Sequence, residues 1–346
     1  MARRRASGNG MPDEILPEGK LRHELLESLI SLTSRDPSIR VGAAVGEDAA
    51  VVHGHRSLVL TADPVTFATE EIGFYAVAVN CNDVAAMGAE PRYLTTTVLL
   101  PPGTTESAVR SLFRDVAAAA ERAGLLWTGG HAEVTSAVAR TVVSAHVVGF
   151  LDREPTESSH ARPGHDLVMT KWVGLEGSTL IVREHPRAAA RILGAERSRS
   201  VLAWLRDPGI SILPEARLLR DLPLGAAHDP TEGGLAAACH EIAERSQVGM
   251  RLDAEAVPIR EETRLLCREW GLDPLGLLGS GALLFTAEPE AAREALRRLA
   301  AAGIPGARIG AATDAAGGVR LASGGASSPL ARFDRDELLK IEGSPA

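Results

Sequence analysis

The stretch Tyr75-Ala76-Val77-Ala78-Val79-Asn80-Cys81-Asn82-Asp83-Val84-Ala85-Ala86-Met87-Gly88-Ala89-Glu90-Pro91 decides how the chain is read. It is apolar nearly all round, which is the pattern of a buried helix. Gly88 is placed to act as the residue just past the helix end, and Pro91 prevents the helix from continuing. Asn80 and Asp83 lie three residues apart and share one face with Ala76 and Met87. A carboxylate and an amide on a buried helix need partners, because an unpaired buried charge is costly. A backbone turn, an Arg or Lys, or a metal ion would serve.

Working outward, Val41 to His53 (VGAAVGEDAAVVH) runs from a Gly-rich loop into a strand, and Ser57 to Pro64 (SLVLTADP) is a second strand stopped by Asp63-Pro64. Upstream, Leu21, Leu25, Leu29 and Leu32 mark an amphipathic helix behind a polar arm over 1–17. Downstream, Arg92 to Leu100 reads as a strand and Thr105 to Ala123 as a helix closed by Gly124. Leu125 to Thr135 reads as a strand broken at Gly129-Gly130, and Arg140 to Phe150 as another. This order predicts a largely antiparallel α+β domain over 18–151. The polar, turn-forming stretch 152–164 (DREPTESSHARPG) marks a linker. A second α+β domain follows over 165–322, with helices at about 176–193 and 196–221 and helices lying against one sheet. The Ser/Gly/Ala-rich end, 323–346, reads as a weakly structured tail.

Composition narrows the function. The 346 residues are 45% hydrophobic and 24% charged, with a formal net charge of −8. An acidic chain is poorly suited to nucleic acid or to an anionic membrane. Its one basic cluster, Arg3-Arg4-Arg5, lies in the polar arm. No run of about 18 apolar residues is present, and the expected location is the cytoplasm. Cys81, Cys239 and Cys267 form no CxxC pair and read as reduced, buried thiols.

Six short stretches carry candidate chemistry. Gly46-Glu47-Asp48 is either a surface turn with solvated acids or a loop whose small neighbours let a ligand approach. Asp63 ends an apolar strand, either as a turn starter or as a ligand. Asn80 with Asp83 is the third. Gly129-Gly130-His131-Ala132-Glu133 reads as a Gly-Gly turn able to approach phosphate, with His131 either structural or a ligand. In His228-Asp229-Pro230-Thr231-Glu232-Gly233-Gly234 a strand end meets a helix N-terminus, which suits phosphate; Asp229 would repel that phosphate unless a divalent cation lay between them. The sixth stretch is Lys171 followed by Gly174-Leu175-Glu176-Gly177. No stretch matches the Walker pattern. Taken together, Asp48, Asp63, Asp83 and Asp229 compose a multi-carboxylate set for Mg²⁺, whose hard oxygen ligands bridge to substrate phosphates.

GEDAAVV, TADPV, VNCNDVAAMGAEP, TGGHAEVT and HDPTEGGLAAACHEIA occur in that order and spacing. In this the chain resembles the aminoimidazole ribonucleotide synthase superfamily over about 18–322. That superfamily includes thiamine-monophosphate kinase, selenophosphate synthetase and the HypE-type hydrogenase-maturation proteins. The GGHAEV and HDPTEGGL blocks look most like the HypE-type and synthase-related branch. The resemblance implies a two-domain PurM-like α+β fold, a homodimer pairing its N-terminal sheets, and ATP with Mg²⁺ as cofactors. It also implies ATP-dependent activation of a substrate, a small molecule or a maturation partner. By motif, Asp48, Asp63 and Asp83 would hold Mg²⁺ and the phosphates, with Asn80 beside them, and Asp229, Gly233 and Gly234 would face the cleft from the second domain. Lys171 is then a candidate to neutralise developing charge and His131 a candidate proton acceptor, with Gly46, Glu47, Gly129, Gly130 and Glu133 lining the nucleotide site. Two departures stand out. His131 replaces the acid of the common Gly-Gly-Asp, and the sequence carries no cysteine after Cys267, where the HypE type ends in Pro-Arg-Ile-Cys.

Overall fold

The computed structural model of the protein describes residues 37, 39–41, 44–47, 49–52, 56–66 and 70–342. The expected arm, the helix over Lys20 to Leu32 and Asp48 lie outside them. The first unit is a six-stranded sheet of β1 (Ile39–Val41), β2 (Ala50–Val52), β3 (Ser57–Val65), β4 (Glu90–Leu100), β5 (Leu126–Val134) and β6 (Val142–Leu151). Its spatial order is β1-β2-β3-β6-β4-β5. All neighbours run antiparallel except β4 and β5, which are parallel.

Helices α1 (Ile72–Ala86) and α2 (Glu106–Ala123) cover one face of this sheet. α1 is the helix read from sequence, and it is buried along almost its whole length. Gly88 adopts a left-handed φ of 79° past its end, and Ala89 N–H closes back on Val84 C=O at 3.1 Å, a glycine-ended helix stop. The helix lies close on the sheet because β6 offers Gly149, where a Cβ would strike the Val84 side chain. No described element covers the opposite face, and β5 is exposed along nearly its full length.

The strand break expected at Gly129-Gly130 is absent, and β5 runs unbroken through both residues. A Cβ on Gly130 would collide with the Thr96 carbonyl oxygen of β4, so this glycine serves close strand approach, not a turn.

The second unit is a seven-stranded sheet of β7 (Asp166–Thr170), β8 (Leu224–His228), β9 (Gly249–Asp253), β10 (Leu284–Ala287), β11 (Gly306–Thr313), β12 (Val319–Ser323) and β13 (Ala326–Pro329), in the order β13-β12-β9-β11-β7-β10-β8. Four helices stand where two were expected over 176–221: α3 (Leu175–Glu184), α4 (Pro186–Leu193), α5 (Ala195–Ala203) and α6 (Leu213–Leu219). Pro186 and Gly194 divide them, since proline starts helices and glycine ends them. α7 (Gly234–Ser246), α8 (Glu261–Trp270) and α9 (Pro289–Ala301) follow.

The sheet has helices on both faces, not one. Leu167 and Met169 of β7 join the core under α7, while Val168 between them joins the core shared with α3–α6, α9 and the first unit. The expected weakly structured tail from 323 is also corrected. β13 pairs with β12, and Leu330, Leu338 and Ile341 are buried beside α10 (Leu339–Glu342). These apolar side chains recur in an otherwise polar stretch and anchor it. No described helix is long and apolar enough to cross a membrane.

Candidate functional site

The buried polar side chains of α1 find their partners on the neighbouring strand. Thr61 Oγ1 donates to Asp83 Oδ2 at 2.6 Å. Asn80 Oδ1 accepts from the Asp63 backbone N–H at 2.8 Å, while Asn80 Nδ2 donates to Asp63 C=O at 3.1 Å and to Ala76 C=O at 2.8 Å. The Asn80 amide thus completes both backbone bonds of one β3 residue and fixes where Asp63 sits. The Asp63 side chain is exposed and Asp83 is buried. Thr61, two residues before Asp63 and so on the same strand face, is a site residue that the sequence reading passed over; its place in TADP is its only signal.

Two further contacts tie this clamp to the second unit. Asn82 Nδ2 donates to Ile210 C=O at 2.8 Å, and Asn82 Oδ1 accepts from Ile212 N–H at 2.9 Å. Gly46-Glu47 docks on α7: Glu47 Oε1 pairs with Arg245 Nη2 at 2.8 Å and accepts from Ser158 Oγ at 3.0 Å. Ser158 belongs to the stretch expected as a linker; it is itself buried, and its carbonyl accepts from Ser246 Oγ at 2.7 Å. A Cβ on Gly46 would crowd both Glu241 and Arg245. Glu241 in turn holds His228 Nε2 at 2.7 Å, next to the fully buried Asp229. The fold therefore brings the Gly46-Glu47 loop against the helix that follows Asp229, although 182 positions separate Glu47 from Asp229.

The other two Gly-rich turns meet at a different place. Gly234 and Gly177 both pack against Leu277, so the N-termini of α7 and α3 flank one loop. Gly233, at φ 78°, gives its N–H to Asp336 Oδ2 at 2.9 Å, so a carboxylate of the C-terminal segment occupies the anion position at the start of α7. Phe333 packs over Gly276 beside it. Burial, with the Asp336 and Glu232 carboxylates nearby, pushes Glu176 up to about 7, and Ser280 hydrogen-bonds it. Burial likewise pushes Asp336 up to about 6. Neither carboxylate was singled out from sequence, because the partners are 160 positions apart.

Lys171 does not play the expected role in this structure. Its Nζ is buried and donates to the carbonyls of Gly209 (3.0 Å), Ser211 (2.8 Å) and Gly281 (2.8 Å), and it pairs with Glu215 at 2.8 Å. An ammonium has three N–H donors, and these acceptors use them all. It binds loops together where a phosphate-neutralising group was expected. His131 and Glu133 sit 3.7 Å apart on the exposed edge strand β5. With Gly129 they lie three strands from β3, a distance of about 14 Å at the usual strand spacing, so one chain does not join them to Asp63 and Asp83.

Among the described residues no three His, Cys, Asp or Glu side chains gather closely enough to hold a metal ion. Asp63 and Asp83 offer two hard oxygen groups from adjacent elements, a donor type that suits Mg²⁺. The three thiols are free and buried. Burial raises all three, Cys81 and Cys267 to about 12 and Cys239 further.

The chain matches the family models described as AIR synthase related protein, N-terminal domain, over residues 46–151, and AIR synthase related protein, C-terminal domain, over 162–322. It is 32% identical over 284 residues to carbamoyl dehydratase HypE of Rhodobacter capsulatus, a match spanning 79% of this chain and 80% of that one. A solved hydrogenase maturation protein HypE in complex with ATP superimposes with a TM-score of 0.68 at 25% identity, covering 84% of this chain and 90% of that one. The HypE–HypF complex gives a TM-score of 0.74 at 23% identity, with 89% and 99% covered, a likeness of fold. The chain belongs to the AIR synthase related family, in its PurM-like, HypE-type branch.

Proposed function

We propose that the protein is a homodimeric, ATP- and Mg²⁺-dependent enzyme that activates a substrate oxygen by phosphoryl transfer. The observation that carries this reading is the β3–α1 clamp, in which Thr61 holds the Asp83 carboxylate and Asn80 fixes the backbone of Asp63. Mg²⁺, when bound, would neutralise phosphate charge and orient the transferred group. Asp63 and Asp83 would hold it, and Asp48, one residue beyond Glu47 in the chain, is the third acid assigned to it. The residues that hold the clamp contribute by position. Asn80 fixes the β3 backbone, and the Glu47–Arg245 pair fixes Glu47 against α7. The relative solved with ATP supports nucleotide binding.

Homodimer formation rests on the face of the first sheet that no described element covers. Leu126 and Val134 of β5 are 47% and 59% exposed, and a second copy would bury them. It would also supply the acid site with side chains that one chain leaves on β5. The acceptor is a small molecule or a maturation partner, the latter in keeping with the relative solved bound to HypF. The buried, neutral Cys81, Cys239 and Cys267 are not suited to receive a carbamoyl group.

The test is calorimetric titration of ATP with and without Mg²⁺ into the wild type and Asp83→Asn. The expected result is Mg²⁺-dependent binding weakened by about 10–100-fold in the variant. Unchanged binding in a folded Asp83→Asn protein would remove the metal assignment. ATP binding without turnover under any acceptor mixture would make the chain a non-catalytic nucleotide-binding scaffold.

A further inference from the structure

A cleft of about 390 Å³ opens between the two units, a size typical of small-molecule sites. Val77, Ala78 and Cys81 of α1 form its floor, and Leu213 of α6 walls it. On the helical wheel Ala78 and Cys81 turn away from Asn80 and Asp83, with Val77 between the two faces, so the cleft opens on another side of α1 from the acid clamp. Burial keeps the Cys81 thiol protonated, which leaves the floor apolar and uncharged.

The mouth is of the opposite character. Arg122, Arg206 and Arg217 line it. Arg206 lies 3.5 Å over the Phe74 ring and is held by Glu71, which Arg183 also grips at 2.6 Å. Arg217 donates from Nε to Glu90 at 3.0 Å and from Nη2 to the Ala123 carbonyl at 3.2 Å. Two of the three guanidiniums are therefore pinned in place. Arg122 rests 5.7 Å from the Phe74 ring and pairs with no described carboxylate. Asp115 lies 4.0 Å from Arg206 and accepts from the Phe74 N–H at 2.9 Å. Of the three guanidiniums that line the cleft, Arg122 is the one with no salt bridge to a described carboxylate.

We propose that this cleft is a second ligand site, which binds a small amphipathic organic acid. The apolar body lies against α1, and a single carboxylate or phosphate sits on Arg122 at the mouth. An apolar wall recovers free energy only from an apolar body, and an unpaired guanidinium favours a planar, two-oxygen anion. The site is independent of the nucleotide reading, because none of its residues belongs to the clamp.

Titration of 8-anilinonaphthalene-1-sulfonate into the folded full chain tests it, followed by fluorescence. Saturable binding at one site per chain is expected, displaced by decanoate or decyl phosphate and far less by 1-decanol. Whichever of the two anions competes better identifies the head group. Arg122 is exposed, so Arg122→Ala leaves the fold intact, and it should weaken the probe about ten-fold. Ala78→Leu, which fills the floor, should abolish binding. Equal affinity in Arg122→Ala, equal displacement by decanol and decanoate, or no saturable binding would each overturn the proposal.

Discussion

In the seven-stranded sheet every residue of β7 and β10 is buried, with helices on both faces. In the six-stranded sheet α1 and α2 cover one face, no other described element covers the second, and β5 is exposed at eight of its nine positions. The sequences differ in the same way. DLVMT and LFTA are nearly unbroken apolar runs, as a doubly covered strand requires, whereas VVSAHVVGFL of β6 alternates in burial. The second unit buries both faces of its central strands, and its buried cation Lys171 is held by three carbonyls and Glu215. The first unit holds Asp83 buried on α1 and Asp63 exposed on β3, and no described element covers the second face of its sheet.

The comparison breaks most readily inside the closed unit. Lys171→Met removes a charge that four acceptors surround and leaves Glu215 buried without its cation. A loss of about 3–5 kcal/mol in denaturant unfolding is expected, largely restored in Lys171→Met/Glu215→Leu. A single variant with near wild-type stability would show that the ion pair does not hold the loops.

The next effect is one of pH. Glu176 and Asp336 have folded values near 7 and 6, raised above their ordinary 4.5 and 3.8. Between those limits the folded state binds more protons than the unfolded one, so unfolding free energy falls as pH rises from about 4 to 7. Burial supplies the cost, and Glu176 alone accounts for up to about 3 kcal/mol. Glu176→Gln should flatten the fall, measured as urea unfolding at pH 4.5 and 7.5. An equally steep fall in the variant would place the effect elsewhere.

The smallest change in stability is expected in the open unit. Val134→Lys puts a charge on an already exposed edge position and should alter unfolding by no more than about 0.5 kcal/mol. The same variant should halve the mass seen by sedimentation, because a charged edge resists pairing. A dimer that survives Val134→Lys would move the interface away from β5.

Several features were legible in the chain itself. α1 and its stop at Gly88 follow from an apolar stretch and one glycine. β3 and the α+β order follow from β-branched runs and turn residues. The need of Asn80 and Asp83 for partners follows from the cost of burying them. Each of these depends on neighbours within about twenty residues. The roles of Lys171 and Glu176 were not legible, since a Lys after a strand or a Glu between glycines looks the same whether it meets a ligand or a carbonyl. Gly129-Gly130 was misread for a related reason: a glycine pair suits a turn and a crowded strand equally, and only Thr96 of the adjacent strand decides between them.

The sequence alone determined the element types, the family motifs and the identity of the acids, because hydrophobic periodicity and backbone-restricting residues act locally. Tertiary structure alone decided which acids meet and which cation is already used. Asp83 reaches Thr61, Glu47 reaches Arg245, Asp336 caps Gly233, and Lys171 is consumed by three carbonyls and Glu215. Those pairings span up to 198 positions. Packing two sheets around one shared core sets them, and no local pattern in the chain encodes that distance.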